Sequence, residues 1–190
     1  MNLPNRLTVL RILMIPIIVL IYLFPYAQMD IVVPTIAVKQ ITVSYVNIAV
    51  LVLFAIASFT DFLDGTIARK YGLITTFGKF ADPIADKLLV NTMFLMFASK
   101  SIVPVVPVLL MLARDTIVDG CRMIASNNGV VVAAGVMGKA KTVLQMITII
   151  LVLANNLPFE LFGLPFADVF LWSSAFVSVA SGINYFNQVK

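Results

Sequence analysis

The chain has no histidine, a single cysteine (Cys121), and few charges: 12% of its 190 residues are Asp, Glu, Lys or Arg. Without histidine it lacks the commonest metal ligand and general base, so any metal or proton chemistry must run on carboxylates. One cysteine cannot close an internal disulfide, which excludes a disulfide-built secreted module. An average soluble domain is roughly 25% charged, and the shortage here excludes both a soluble enzyme and a charge-rich disordered chain. What the chain has instead is apolar: 61% of its residues are hydrophobic. The net charge of +4 would hint at nucleic-acid binding in a soluble protein. In a membrane protein it reports topology first, and no nucleic-acid partner is expected.

The charge-free stretches run 12–29, 40–60, 88–99, 101–113, 142–159 and 169–189. They are apolar at every position instead of alternating, which disfavours a β-barrel. A helix needs about 20 residues to cross the hydrocarbon core. The third and fourth stretches are short unless their charged ends belong to the same helices, and they are therefore extended to about 83–100 and 101–124. The fold expected is an all-α integral membrane protein, six transmembrane helices with an N-terminal amphipathic segment, forming one domain over 1–190. Pro25 and Pro34 flank the first loop, Asn127-Asn128-Gly129 begins the fourth connection, and Asn155, Asn156 and Pro158 end the fifth helix. The first helix lacks a signal peptide's short apolar core and cleavage site, so it is expected to stay in the mature protein.

Eleven cations fall on one side of these helices (Arg6, Arg11, Arg69, Lys70, Lys79, Lys87, Arg114, Arg122, Lys139, Lys141, Lys190) and two on the other (Lys39, Lys100). The positive-inside rule then puts both termini, and the connections 2–3 and 4–5, in the cytoplasm of a multi-pass protein of the cell membrane.

Six of the nine acids, Asp61, Asp64, Asp82, Asp86, Asp115 and Asp119, fall on that same side. The first four are spaced i, i+3 and i, i+4, so each pair projects from one face of its helix. With helix 2 ending near Asp64 and helix 3 starting near Asp82, a connection of seventeen residues (65–81) brings the pairs together as a four-carboxylate nest. Carboxylates in an apolar setting need cations, and two aspartates at a helix C-terminus oppose its dipole. Oxygen-only ligands select a hard divalent cation, Mg²⁺ or Mn²⁺, and two ions per site would suit phosphoryl transfer. Gly65 and Gly78 leave room beside the acids, and Arg69 can meet a phosphate in bidentate fashion. The plainer reading of Asp82-Pro83 is a helix N-cap followed by proline at the first helical position.

The pattern Asp61-x2-Asp64-Gly65-x2-Ala68-Arg69-x8-Gly78-x3-Asp82-x3-Asp86 resembles the signature of the CDP-alcohol phosphotransferase family at all eight fixed positions. The resemblance implies that Asp61, Asp64, Asp82 and Asp86 hold the metal, that Asp86 is also the general base, and that Gly65, Ala68, Arg69 and Gly78 accommodate the CDP moiety. It implies transfer of a phosphatidyl or related group from a CDP-linked donor to an alcohol, with release of CMP, and a homodimer among membrane lipids.

The acceptor is read from elsewhere in the chain. Arg114, Arg122, Lys139 and Lys141 supply four cations on the same side, suited to a phosphorylated acceptor. The opening Leu3 to Arg11, and the runs Ala113 to Arg122 and Gly138 to Thr142, resemble the branch of the family that uses glycerol 3-phosphate. In that branch Asn5, Thr8 and Arg11 lie near the nucleotide, though the three could simply cap and anchor the first helix. A glutamate is expected after Arg114, and Asp115 departs from this. The expected reaction joins CDP-diacylglycerol and glycerol 3-phosphate to give phosphatidylglycerol phosphate and CMP. The alternatives are inositol phosphate or phosphatidylglycerol as acceptor, or a small ion transporter.

Overall fold

In the computed structural model the backbone is described for residues 2–73, 75–127 and 135–189, with the side chains of 69, 79, 125–127 and 187–189 left aside. Asn128, Gly129 and Lys190 therefore lie outside the described residues. Among the described residues there are six long helices: α1 (Leu3–Leu23), α2 (Tyr45–Lys70), α3 (Thr76–Ser99), α4 (Val105–Asn127), α5 (Val136–Leu153) and α6 (Phe166–Val189). Among the described residues four stretches are long and apolar enough to cross a membrane: Leu3–Leu23, Tyr45–Ala68, Val136–Leu153 and Phe166–Phe186. These point to a helical membrane protein. In α3 and α4 charged residues interrupt the apolar sequence, Asp82, Asp86 and Lys87 in one and Arg114, Asp115, Asp119 and Arg122 in the other.

The chain divides into two compact units, residues 1–96 with 153–155, and residues 97–152 with 156–190. In the first, Asn2 caps α1 by accepting from the Asn5 N–H at 3.2 Å, and the N-terminal segment continues into the first apolar run as one helix. Its buried residues Ile15, Ile18 and Tyr22 belong to the same core as Val50, Phe54 and Ala57 of α2 and Ala85, Leu89 and Met93 of α3.

Residues 40–44 do not begin the second helix. An antiparallel hairpin, β1 (Thr35–Val38) and β2 (Ile41–Ser44), pairs Val38 with Ile41 and Thr35 with Ser44. Its β-branched residues favour strands, and Lys39 takes the left-handed conformation (φ 56°) of a two-residue turn. Ser44 then caps α2 through the Val46 N–H at 3.0 Å.

The link between α2 and α3 is far shorter than the seventeen residues expected. The α2 helix runs on to Lys70, where Gly72 (φ 65°) and the Leu73 N–H bonded to the Ala68 carbonyl at 3.0 Å terminate it. Thr75 restarts the chain by accepting from the Gly78 N–H at 3.0 Å, and α3 begins at Thr76. Asp82 is thus no N-cap. Pro83 sits inside α3, where its missing N–H forgoes one helical bond.

In the second unit, α4 and α6 pack together, and α5 is tied to α4 by Gln145 Nε2 donating to Met111 Sδ at 3.2 Å. As the sequence implies, α5 stops just before Asn155. Asn156 ties the following turn, donating to the Leu164 carbonyl at 2.7 Å and accepting from the Ala167 N–H at 3.1 Å.

Candidate active site

In the first unit three residues of α1 at a spacing of three, Asn5, Thr8 and Arg11, fall on one face of the helix, and Thr8 and Arg11 reach the aspartates of the signature. Arg11 is fully buried, 0% exposed. Its Nε donates to the Ala57 carbonyl at 3.2 Å, Nη1 pairs with Asp61 Oδ1, and Nη2 pairs with Asp64 Oδ2 at 2.6 Å. The three acceptors, 57, 61 and 64, follow one face of α2, so the guanidinium lies along that helix. Thr8 Oγ1 donates to Asp82 Oδ1 at 2.6 Å. Asp82 stands near enough to Asp61 and Asp64 for its charge to act on both. Asp86 lies one turn further along α3 and is partly buried.

Gly78 lets Asn5 and Thr75 approach closely. A Cβ on Gly78 would stand 3.2 Å from Asn5 Oδ1, 3.3 Å from Thr75 Oγ1 and 3.6 Å from Asp82 Oδ2. Asn5 Oδ1 accepts from Thr75 Oγ1 at 2.9 Å, and Asn2 Nδ2 donates to the Leu73 carbonyl at 2.8 Å. The start of α1 is in this way laced to the link before α3. Gly65 and Ala68 lie within α2, and the Arg69 side chain is outside the described set.

Thr75 and Asn2 are absent from the residues that the sequence singles out for the site. Arg11 is there a topology charge and, by resemblance, a neighbour of the nucleotide, and its pairing with Asp61 and Asp64 is what the structure adds. The dipole argument for Asp61 and Asp64 also changes, because α2 continues past them to Lys70 and the end effect is confined to the last turn. Arg11 balances them instead.

The donor set suits a hard divalent cation. It is oxygen-only: among the described residues Asp61 and Asp64 pair with the Arg11 guanidinium, and Asp82 accepts from the Thr8 hydroxyl. Arg11 takes one oxygen each from Asp61 and Asp64, and Thr8 takes one from Asp82, so the described bonds leave one oxygen of each carboxylate uncommitted. No group of three or more acids stands at metal-holding distances among the described residues.

In the second unit the four cations expected for the acceptor have different surroundings. Lys141 pairs with Asp115, their side chains 7% and 6% exposed. Arg114 Nη1 pairs with Asp115 Oδ1 at 3.0 Å, and its Nη2 donates to Ser181 Oγ. Arg122 is exposed, with its guanidinium 5.7 Å from the centre of the Tyr185 ring, and Lys139 is exposed on the first turn of α5. The contacts thus join Arg114 with Lys141 through Asp115, while Arg122 and Lys139 stand apart from that pair. Asp115 in place of the expected glutamate reaches both cations from α4. Gly182 lets this happen, for a Cβ there would fall 2.9 Å from Arg114 Cγ. Beside Arg114, an apolar groove of about 500 Å³ runs between α4 and α6, lined by Leu110, Ile117, Val179 and Phe186.

These features, carboxylates on α2 and α3 bonded to side chains of α1 in a chain of apolar helices, mark the candidate site of a helical membrane protein. The family model described as CDP-alcohol phosphatidyltransferase matches residues 1–180, and the chain belongs to that family. Among relatives, it is 41% identical over 187 residues to the CDP-diacylglycerol–glycerol-3-phosphate 3-phosphatidyltransferase of Bacillus subtilis, an alignment covering 98% of this chain and 94% of the relative. The proteins of the same name from Rickettsia bellii and Rickettsia typhi are 40% and 38% identical, each alignment covering 100% of this chain and 96% or 97% of the relative.

Proposed function

We propose that this protein transfers the phosphatidyl group from CDP-diacylglycerol to glycerol 3-phosphate, giving phosphatidylglycerol phosphate and CMP. The observation that supports the donor half is that α1 engages the signature acids from both neighbouring helices, Asp61 and Asp64 through Arg11 and Asp82 through Thr8, all within one unit. The acceptor half rests on full-length relatives named for glycerol 3-phosphate.

In this reading Asp61, Asp64, Asp82 and Asp86 hold one or two Mg²⁺ or Mn²⁺ ions. When bound, a divalent cation supplies positive charge against the diphosphate and the departing CMP. Asn5, Thr8, Gly65, Ala68, Arg69 and Gly78 accommodate the CDP moiety, with Gly78 giving it backbone to lie against. Asp86 accepts the proton of the acceptor hydroxyl as that oxygen bonds to the β-phosphorus, and the bond between that phosphorus and the oxygen of CMP breaks. One displacement suffices, with no covalent intermediate on the protein. Arg114 and Lys141, with Arg122 and Lys139, receive the acceptor's phosphate.

The reading includes six spans, with α3 and α4 crossing as well and their charged ends at the cytoplasmic face, where the polar acceptor arrives. Both termini lie on that side. It also includes a homodimer, which light scattering of the detergent-solubilised protein tests. The function itself is tested by CMP release from purified protein given CDP-diacylglycerol and Mg²⁺. Release with glycerol 3-phosphate alone is the expected result. Release with inositol phosphate or phosphatidylglycerol instead would move the acceptor assignment, and no release with any alcohol would overturn the reaction.

A further inference from the structure

Arg11 is bound more completely than an anchor for α1 requires. It is wholly buried, three of its N–H groups are engaged, and two of its partners are carboxylates expected to hold the metal. Its Nε bond to the Ala57 carbonyl and its buried stem fix it in place, so a cation entering the site adds to the guanidinium without displacing it.

Two consequences follow from elementary electrostatics. With no metal present, Arg11 supplies the positive charge that balances and orients buried Asp64 and its neighbour Asp61, each through a single oxygen. With metal present, the same positive charge repels the ion across a short, poorly screened distance. We propose that Arg11 is a positioning residue that sets the divalent-cation affinity of this site, holding the metal-free carboxylates in their binding arrangement while keeping metal binding weak enough to reverse. This rests on the reading that Asp61, Asp64 and Asp82 hold the cation.

The test is Mn²⁺ binding by the full-length protein in detergent, followed by the Mn²⁺ electron paramagnetic resonance signal, with thermal melting recorded in parallel. Arg11→Gln is expected to bind Mn²⁺ about tenfold or more tightly than the wild type, because the opposing charge is gone. It is also expected to melt lower without metal, and to gain more in Tm from Mn²⁺ than the wild type does. Arg11→Lys keeps the charge, but its ammonium lacks the fork that spans two carboxylates, so its affinity is expected to fall between the two. Arg11→Lys also serves where Arg11→Gln fails to fold. Affinity equal to or weaker than wild type in either folded variant would overturn the proposal and leave Arg11 a purely structural residue. Absence of Mn²⁺ uptake by the wild type is a distinct result, overturning the metal assignment of the aspartates and this proposal with it.

Discussion

At the residue scale, Asp86 and Asp64 separate chemistry from architecture. Asp64 is 2% exposed and bonds a fully buried guanidinium, so Asp64→Asn removes charge from a pair that has no water to fall back on. Breaking a buried pair costs about 3–5 kcal/mol when one partner is left alone. Because Arg11 keeps Asp61, the loss expected here is smaller, about 1–3 kcal/mol, and it reads as a lower Tm in detergent together with lost CMP release. Asp86 has a different task. A general base contributes on the order of 10²–10⁴ in rate, so Asp86→Asn is expected to lower CMP release about a hundredfold or more while the protein stays folded. Near-normal turnover in Asp86→Asn would remove it from the proton path.

At the scale of elements, the helices test how neighbours are held. Gly182 is a helical glycine, and an alanine in its place normally stabilises a helix by about 0.5–1 kcal/mol. Here the new methyl would meet Arg114 Cγ at 2.9 Å, in the middle of the side chain where it cannot swing aside cheaply. Overpacking of this kind costs about 1–3 kcal/mol and wins, so Gly182→Ala is expected to destabilise the protein and shift Arg114 off Asp115 and Ser181. If Arg114 receives the acceptor phosphate, the KM for glycerol 3-phosphate rises while that for CDP-diacylglycerol holds; an unchanged acceptor KM would remove Arg114 from that role. Thr75→Ala removes the cap of α3 and the partner of Asn5, at a cost of about 1 kcal/mol in a thermal melt.

The same elements show what the sequence made legible. The long helices could be read directly, and so could the placing of Asp61 with Asp64 on one helix and Asp82 with Asp86 on the next, because apolar runs and i, i+3 or i, i+4 spacings are local features. The stop at Tyr71-Gly72 and the Thr75 cap were equally local. They were hidden because Asp82-Pro83 is a stronger-looking helix start, though a proline within α3 costs only part of one hydrogen-bond pattern. Arg11 was harder. Its meaning depends on α1 lying beside α2, and nothing in a count of cations separates a topology charge from a buried counter-ion. The β1–β2 hairpin was lost inside a charge-free run whose β-branched residues, 41–43, were read for hydrophobicity alone.

At the scale of the whole molecule, topology decides whether the acids meet the donor's headgroup at the cytoplasmic face. The α2 helix provides the cleanest test: Lys39, in the hairpin turn ahead of β2, precedes it and Lys70 ends it, and both are exposed. Its 26 residues span about 39 Å at 1.5 Å per residue, more than the roughly 30 Å hydrocarbon core, so in the proposed topology its two ends emerge on opposite sides. The signature acids Asp61 and Asp64 lie within two turns or so of the Lys70 end, and the side reached by Lys70 is therefore the side of the site. In a Cys121→Ser background, a membrane-impermeant maleimide is expected to label Lys39→Cys in intact cells and Lys70→Cys only after the membrane is opened. The reverse pattern would turn the molecule over, placing the carboxylates away from the cytosol that holds glycerol 3-phosphate, and the proposed reaction would lose its acceptor.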